Sequence, residues 1–552
     1  MRRFAKYLAP LVVALVCCGS WASLASAQEA ASAKKFDPKY LSAPHKTTDF
    51  LPLDGGCYQC HRTDQGNKPQ ASRPESLTRI TFRETNKWRE QDFHDQAGLA
   101  LTTPRAKAMG ELLGYDVAKS TQCLSCHTGT QKVAEQAGAP PQLTAPEQRM
   151  VLEHGVSCQA CHGPAKNWDG PHRTEPDWWK NASEKKYVIG LLDVRHPVTR
   201  AQVCLSCHLG SSAEGKIISH EMYAAGHPPL GNFEVENFIG AMPFHGMLIE
   251  DKAKSSAESH ADWYRQDDYY RTRSVLTASL VALRMQTQLL LDETAWSMAT
   301  PSGAAPAAAV GGAATKDAYR PHWPELAHFN CASCHHELAT DRHAPDRAAS
   351  APPGRPMLRN WPTALYEVAL RGADIDPGAE PLLQPLEAAL ARNPFGRTKD
   401  VHDAARKVAD RLDRDLAALE ARKFDRAAVR KYLAAIATVG LSRHVDFEEA
   451  RQLAWAAQGI VKELKAEKPG SADDAALVAT VEPIVAGFDA ELSLDFATKP
   501  RKKNPADDFH KVEYSPALLK WGSEALKTSV DFDESAFRIR LEKLKKALSA
   551  NS

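Results

Sequence analysis

The hydrophobic pattern divides the chain into a short apolar leader, a long stretch with little periodicity and a strongly periodic second half. Near the N-terminus, Arg2, Arg3 and Lys6 precede the apolar run Leu11-Val12-Val13-Ala14-Leu15-Val16. From 51 to 350 the apolar positions are scattered among Pro, Gly, His and Trp. One exception is 274–292, where Val275, Leu276, Leu280, Leu283, Leu290 and Leu291 predict a helix. After about residue 355, Val401, Ala405, Val408, Leu412, Leu416 and Leu419 recur on one helical face. Phe447, Ala450, Leu453, Ala457, Ile460 and Leu464 form a second stripe, opened by Asp446 as N-cap with Glu449 three residues on. Phe537, Leu541, Leu544 and Leu548 make a third. The pattern predicts a mainly α protein: an N-terminal region with little regular strand, then an all-α helical domain over 355–552, as a bundle or an irregular helical stack.

The leading run, followed by Ala25-Ser26-Ala27 before Gln28, reads as a signal peptide over 1–27, with a leader tail over 28–50. Val16 and Cys17 precede Cys17 and Cys18 where a lipidated cysteine needs a small neighbour, so a lipoprotein is disfavoured. The run is short of the roughly 20 apolar residues of a membrane span. A periplasmic mature protein is the expectation, and anchoring by an uncleaved signal stays open. Within 51–350, the Ala/Gly/Pro-rich stretch 301–316 reads as a surface loop. The 69 basic and 68 acidic side chains nearly cancel, which gives no support to a nucleic-acid partner.

Chemistry enters with five copies of Cys-x-x-Cys-His: Cys57/Cys60/His61, Cys123/Cys126/His127, Cys158/Cys161/His162, Cys204/Cys207/His208 and Cys331/Cys334/His335. Each is a c-type haem attachment sequence. Two thiols form thioethers with one porphyrin, and the next residue offers its imidazole to the iron as proximal ligand. Of twelve cysteines, ten sit in these motifs, and the other two are Cys17 and Cys18. An odd number of pairs, each followed by His, fits poorly with four-ligand zinc knuckles. Five covalently bound haem c groups are expected, so 51–350 reads as a pentahaem cytochrome c domain whose porphyrins supply much of its core.

The far side of each iron decides between a carrier and an enzyme. Of 21 histidines, sixteen lie outside the motifs and thirteen of those precede residue 350. That enrichment is what bis-histidine ligation produces. The candidate distal ligands are His94, His172, His196, His220 and His227. His220 and His227 are seven residues apart, about two helical turns, and can serve two different haems.

Two segments carry a family resemblance. Trp88-Arg-Glu-Gln-Asp-Phe-His94 follows the first motif. The third runs through Gly155-Val-Ser-Cys-Gln-Ala-Cys-His-Gly-Pro-Ala-Lys-Asn-Trp-Asp-Gly-Pro-His172, and His196 lies eight residues before the fourth. Over about residues 50–235 the chain resembles the cytochrome c-554 group related to hydroxylamine oxidoreductase. Around the fifth motif, Phe329-Asn-Cys-Ala-Ser-Cys-His-His-Glu-Leu338 looks like an extension found in larger multihaem relatives. The resemblance implies closely packed haems, some parallel-stacked and some nearly perpendicular, mostly with two His ligands and with one iron able to stay five-coordinate.

Two readings therefore stand. One is a periplasmic electron carrier between a redox enzyme and a membrane quinone system or terminal acceptor, with periplasmic or membrane-associated redox proteins as partners. The other is an oxidoreductase that takes a small nitrogen or sulfur compound at an open iron. Against an ammonia-forming nitrite reductase, all five motifs end in His where such enzymes typically carry a Lys at the catalytic haem. Nothing around Tyr432 or Tyr514 identifies the cross-linked tyrosine that hydroxylamine oxidoreductase needs. Intact-mass analysis of the exported protein should show a start near Gln28 and five haem additions; fewer than four, or bound zinc instead, would overturn the attachment reading.

Overall fold

The computed structural model describes residues 57–61, 84–129, 145–174, 188–243, 268–299, 322–335, 355–376, 381–466, 472–492 and 532–550. The signal peptide, the leader tail, the 301–316 loop and Tyr514 lie outside the described residues. Helices dominate, and the only β pairings among the described residues are the isolated bridges Ser211–Lys216 and Phe329–Leu358. The mainly α expectation holds.

The predicted helix at 274–292 extends about one turn at its start and about two at its end, to Tyr270–Ala299. It is the axis of the fold. Val275, Leu276, Leu280, Val281, Leu283, Leu290 and Leu291 are nearly inaccessible, and apolar residues lie all around it, as in a helix buried on every side. It packs most extensively on Thr398–Glu420, and also on Pro197–His208, Phe447–Ala466 and Tyr366–Gly372. By length and composition it could cross a membrane, but 89% of its apolar window is buried inside the protein.

What lengthens the helix beyond its apolar stretch is tertiary satisfaction of its polar ends. At the start, Glu463 accepts hydrogen bonds from Arg271 N (2.7 Å), Thr272 N (2.8 Å) and Thr272 Oγ1 (2.7 Å). A carboxylate from another helix thus takes the role of an N-cap, answering donors that a helix terminus leaves unpaired. Further along, Arg284 pairs with Asp413 at 2.7 Å, and the buried Glu293 with His328 at 2.7 Å. No local pattern could announce partners this far apart in the chain.

The three predicted stripes are all in the core. Val401, Ala405, Val408, Leu412, Leu416 and Leu419 are buried, as are Ala450, Leu453, Ala457, Ile460, Leu464 and Phe537, Leu541, Leu544, Leu548. Asp446 caps its helix, accepting from Glu449 N at 2.9 Å. The reciprocal half of a capping box is replaced: the Glu449 carboxylate goes to Arg443 at 2.6 Å. Tyr432 is buried and stacks on Phe424, within this helical core.

One continuous cluster runs from Val198, Ala201 and Leu205 on the fourth motif's helix, through the central helix, to Leu548. The change of composition near residue 355 therefore falls inside a shared core. Nearer the N-terminus the apolar clusters are small: Ala165, Trp168 and Leu191 in one, Leu101, Leu124 and Leu152 in another.

Burial pushes the Glu463 carboxyl up to about 7, against the hydrogen bonds from Thr272 and the backbone of Arg271. As pH rises, the unfolded chain loses this proton first, near the ordinary value of 4.5, so stability falls between 4.5 and about 7. Glu463→Ala should lower the unfolding free energy by about 1–3 kcal/mol, because buried donors lose their acceptor. Glu463→Gln should flatten the pH slope. Urea unfolding midpoints on either side of that window would check both.

Candidate haem-ligand site

Each attachment motif is held at the end of a short helix that brings its histidine out beside its cysteines. Motif residues form Cys57–Cys60, Cys158–His162 and the 3-10 turn Cys331–Ser333, and end the helices Thr121–His127 and Pro197–His208. Backbone bonds tie His to the first Cys in the first and fifth motifs, His61 N to Cys57 O at 2.9 Å and His335 N to Cys331 O at 2.7 Å. For Cys60, only the backbone is described.

The fifth motif departs from the enclosed setting expected of a region whose core is built on porphyrins. Cys331, Cys334 and His335 are exposed, whereas Cys57, Cys123, Cys126, Cys158, Cys161, Cys204 and Cys207 are half-buried. Cys334 falls just past the 3-10 turn and is held by its backbone, its N–H donating to Cys331 O at 3.1 Å. The physical reason lies in how this turn is attached. It hangs on the Phe329–Leu358 bridge and the bond from Asn330 N to Met357 O at 2.8 Å, which bury Phe329 and leave the residues after it on the outer side. Cys331 and Cys334 are therefore exposed, unlike the cysteines of the other four motifs whose side chains are described.

The other four motifs come together in pairs. Cys57 and Cys158 lie close enough for each to shift the other's titration, which brings motifs one and three together. Cys126 and Cys207 are likewise close enough to shift each other's titration, which brings motifs two and four together. Motifs two and four share the sequence Cys-Leu-Ser-Cys-His, and the turn bridged by Ser211 and Lys216 grips both serines. Ser125 Oγ donates to Gly215 O at 3.2 Å and Lys216 Nζ to Ser206 Oγ at 2.9 Å. The buried Lys216 is itself neutralised by Glu214 at 2.7 Å.

Three histidines outside the motifs face histidines within them. His94 and His208 have ring centroids 6.2 Å apart, His127 and His227 6.4 Å, and His220 and His335 6.2 Å. Metal–imidazole bonds are about 2.0 Å and the ring centre lies about 1 Å beyond the nitrogen, so two imidazoles across one metal stand about 6 Å apart. The spacing fits an iron between each pair. The ring planes cross at 81° and 80° in the first two pairs and at 22° in the third. His172 lies near enough to His61 to feel its charge.

The second test is which ring nitrogen is available. His127 Nδ1 lies 2.8 Å from Ala97 O, His172 Nδ1 3.2 Å from Trp168 O, and His227 Nδ1 2.7 Å from Pro228 O. A carbonyl can only accept, so Nδ1 carries the proton and Nε2 keeps its lone pair for a metal. Burial pushes the pKa of His127, His172 and His227 down, that of His227 to about 4, and His208 falls to about 3 by burial beside His94. These rings are neutral, as ligands must be. Around His61 and His94 burial acts the same way, but the Glu84 and Asp92 carboxylates on their Nδ1 atoms outweigh it and the net direction is up.

His196 is arranged differently. Its Nδ1 accepts the Val198 N–H at 3.3 Å as N-cap of Pro197–His208, which leaves the proton on Nε2, 3.7 Å from Glu420 Oε1. In this structure His196 serves as a helix cap, and it does not face a motif histidine as His94, His220 and His227 do. His162 is fixed through its carbonyl, which accepts from Leu192 N at 3.0 Å. His402 bonds Thr294 Oγ1 at 2.9 Å, between the central helix and Thr398–Glu420.

Sequence reading missed the residues that aim these rings: Glu84, Asp92, the Ala97 carbonyl, and Glu325, which accepts from His220 N at 2.8 Å. Of these only Asp92, two residues before His94, carries a local signal. Gly155 also belongs here. It sits at φ +50°, and a Cβ there would lie 2.4 Å from His94 O, while Val156 N donates to that same oxygen at 2.9 Å. A side chain at 155 would push His94 away.

No curated protein and no solved structure matches the chain. Residues 82–163, which hold His94 and the second and third attachment motifs, match the family model described as cytochrome c554 and c-prime. Over that span the chain is similar to that family, and together with the attachment motifs the match supports a c-type cytochrome, with the covalently bound haem c that such a family implies.

Proposed function

We propose that this chain is an exported five-haem electron carrier, acting in the periplasm between redox proteins, some of them membrane-associated. The observation that carries the reading is the set of three facing imidazole pairs, each joining a motif histidine to one outside the motifs at 6.2–6.4 Å. A bound haem c supplies one-electron ferric–ferrous chemistry, tuned by its axial ligands and surroundings. The residues that would hold such groups are His94 with His208, His127 with His227, His220 with His335, and His172 beside His61.

Contacts between motifs suggest the order of the relay. Motifs one and three meet through Cys57 and Cys158, and two and four through Cys126 and Cys207. Cys161 lies within electrostatic reach of both Cys204 and Cys207, linking motif three to four. The segment from His220 to His227 supplies one ring opposite His335 and another opposite His127, linking motif two to five. The relay so described runs one, three, four, two, five. It ends at the motif whose Cys331 and Cys334 are exposed, where a redox partner has access. Iron with two imidazoles has no position left for a substrate, which favours transfer over small-molecule chemistry.

Low-temperature electron paramagnetic resonance of the oxidised, haem-loaded protein should show low-spin iron. The crossed planes of His94/His208 and His127/His227 should give strongly anisotropic signals, and the near-parallel His220/His335 pair a rhombic one. His227→Ala should turn one low-spin signal high-spin and raise its potential, since losing a donor nitrogen disfavours ferric iron; His172→Ala should do the same for another. Unchanged spectra in both variants would refute the ligand assignment. A dominant high-spin signal in the parent protein would favour the oxidoreductase reading.

A further inference from the structure

Asp92 stands apart from the other groups that aim an axial ring. One of its oxygens lies 2.9 Å from His94 Nδ1 and also accepts His94 N–H at 3.0 Å. Asp92 is 2% exposed. For His127, His172 and His227 the corresponding partner is a neutral backbone carbonyl. A carboxylate pulls the Nδ1 proton toward itself and makes Nε2 a more basic donor, and in a buried site its charge is weakly screened.

The local structure gives the ring little freedom to leave Asp92. Asp92 N donates to Trp88 O at 3.0 Å, and the side chain is the N-cap of the 3-10 helix Phe93–Thr102. Trp88 stacks on the His94 ring at 5.8 Å and 12°. From the other side, Gly155 and Val156 press on the His94 carbonyl. His94 also lies within electrostatic reach of Cys207, which belongs to the same motif as His208.

We propose that Asp92 is the positioning and potential-setting residue for the iron held between His94 and His208, and makes that iron harder to reduce than those whose axial rings rest on carbonyls. The proposal rests on reading His94 and His208 as an axial pair. On reduction one electron enters the iron, no bond forms or breaks, and the Nδ1 proton stays between His94 and Asp92. The carboxylate favours the ferric form because that form carries one more positive charge for the more basic ring to stabilise. Glu84 acts on His61 in the same sense but more weakly. Its contact is longer, 3.1 Å, and the Glu84 carboxylate is 15% exposed against 2% for Asp92, so water screens its charge more, although the His94 ring is itself more open than that of His61, 36% against 26%.

The test is a potentiometric titration of the full, haem-loaded protein followed by electron paramagnetic resonance. The signal that disappears in His94→Ala identifies the iron in question. Asp92→Asn keeps the helix cap and a neutral acceptor while removing the charge. It should raise that signal's midpoint by at least a tenfold change in the reduction equilibrium, about 59 mV for one electron. The other signals should not move, and Asp92→Glu should restore part of the shift. Asp92→Ser, which caps but is too short to reach the ring, should shift the midpoint the same way. A midpoint unchanged in both Asp92→Asn and Asp92→Ser, with the signal still lost in His94→Ala, overturns the role of Asp92 and leaves the axial pair standing. Retention of every low-spin signal in His94→Ala overturns the pair itself.

Discussion

An imidazole can bind a metal through Nε2 only if something holds its Nδ1 proton, and that constraint organises the motif-bearing half of this protein. Some acceptors are the ring's own neighbours, as for His94, His172 and His227, and others come from elsewhere in the fold, as for His61 and His127. The 3-10 helix Phe93–Thr102 shows the consequence. Its cap Asp92 holds His94, its Ala97 carbonyl holds His127, and its Gly98 lies so close to Leu152 that a Cβ would fall 2.4 Å from the Leu152 carbonyl oxygen. It packs against Glu84–Gln91, Pro104–Leu113, Thr121–His127 and Ala145–His154. An irregular element of ten residues can serve so many neighbours because its backbone groups are not all consumed by an α-helical ladder.

The same region has little conventional core. Its two small apolar clusters hold three buried residues each, whereas the second half buries whole helices around Tyr270–Ala299. Each fully buried Leu or Phe contributes about 1.5–3 kcal/mol, so the helical half has ample stabilisation of its own and the motif half draws on it through the helix Pro197–His208. Ala201 and Leu205 on that helix enter the large core, while its last residue is His208. The register of this one helix couples an attachment site to the apolar interior.

How much of this was legible in the sequence depends on the range of the interaction. Attachment cysteines and proximal histidines are local and fixed by spacing. Their burial is not: Cys207 and Cys334 occupy the same motif position, yet one is half-buried beside Cys126 and the other is exposed. Stripes such as Val401 to Leu419 are local too, and their period of about 3.6 residues survives into the structure. What could not be read is anything set by a distant partner. Glu463 capping a helix 191 residues away has no periodic signature. His196 shows the ambiguity of a local signal, since a histidine followed by proline at a helix start reads equally as ligand or cap, and the Val198 N–H bond on Nδ1 is an observation of the fold. The facing of rings lies in between: His94, His220 and His227 could be nominated from composition, but which motif histidine each one faces is a property of the fold.

The helical half also reaches the segment that carries His220 and His227. The segment carrying His220 and His227 continues into Leu230 and Asn232, and both are clamped from beyond residue 355. Arg359 donates to Leu230 O at 2.6 Å and pairs with Glu448 at 2.7 Å, while Asn232 bonds the Glu448 carbonyl and Arg451. Arg451 in turn lies 4.4 Å over the Trp455 ring, in the middle of the core helix Phe447–Ala466. His227 itself is steadied from the other side, where Arg105 holds the Gly226 carbonyl. A displacement of Phe447–Ala466 is therefore carried by Glu448 and Arg359 to the loop that places two rings opposite two different motifs. The helical half, with no attachment cysteine of its own, in this way helps to position His220 and His227 against His335 and His127.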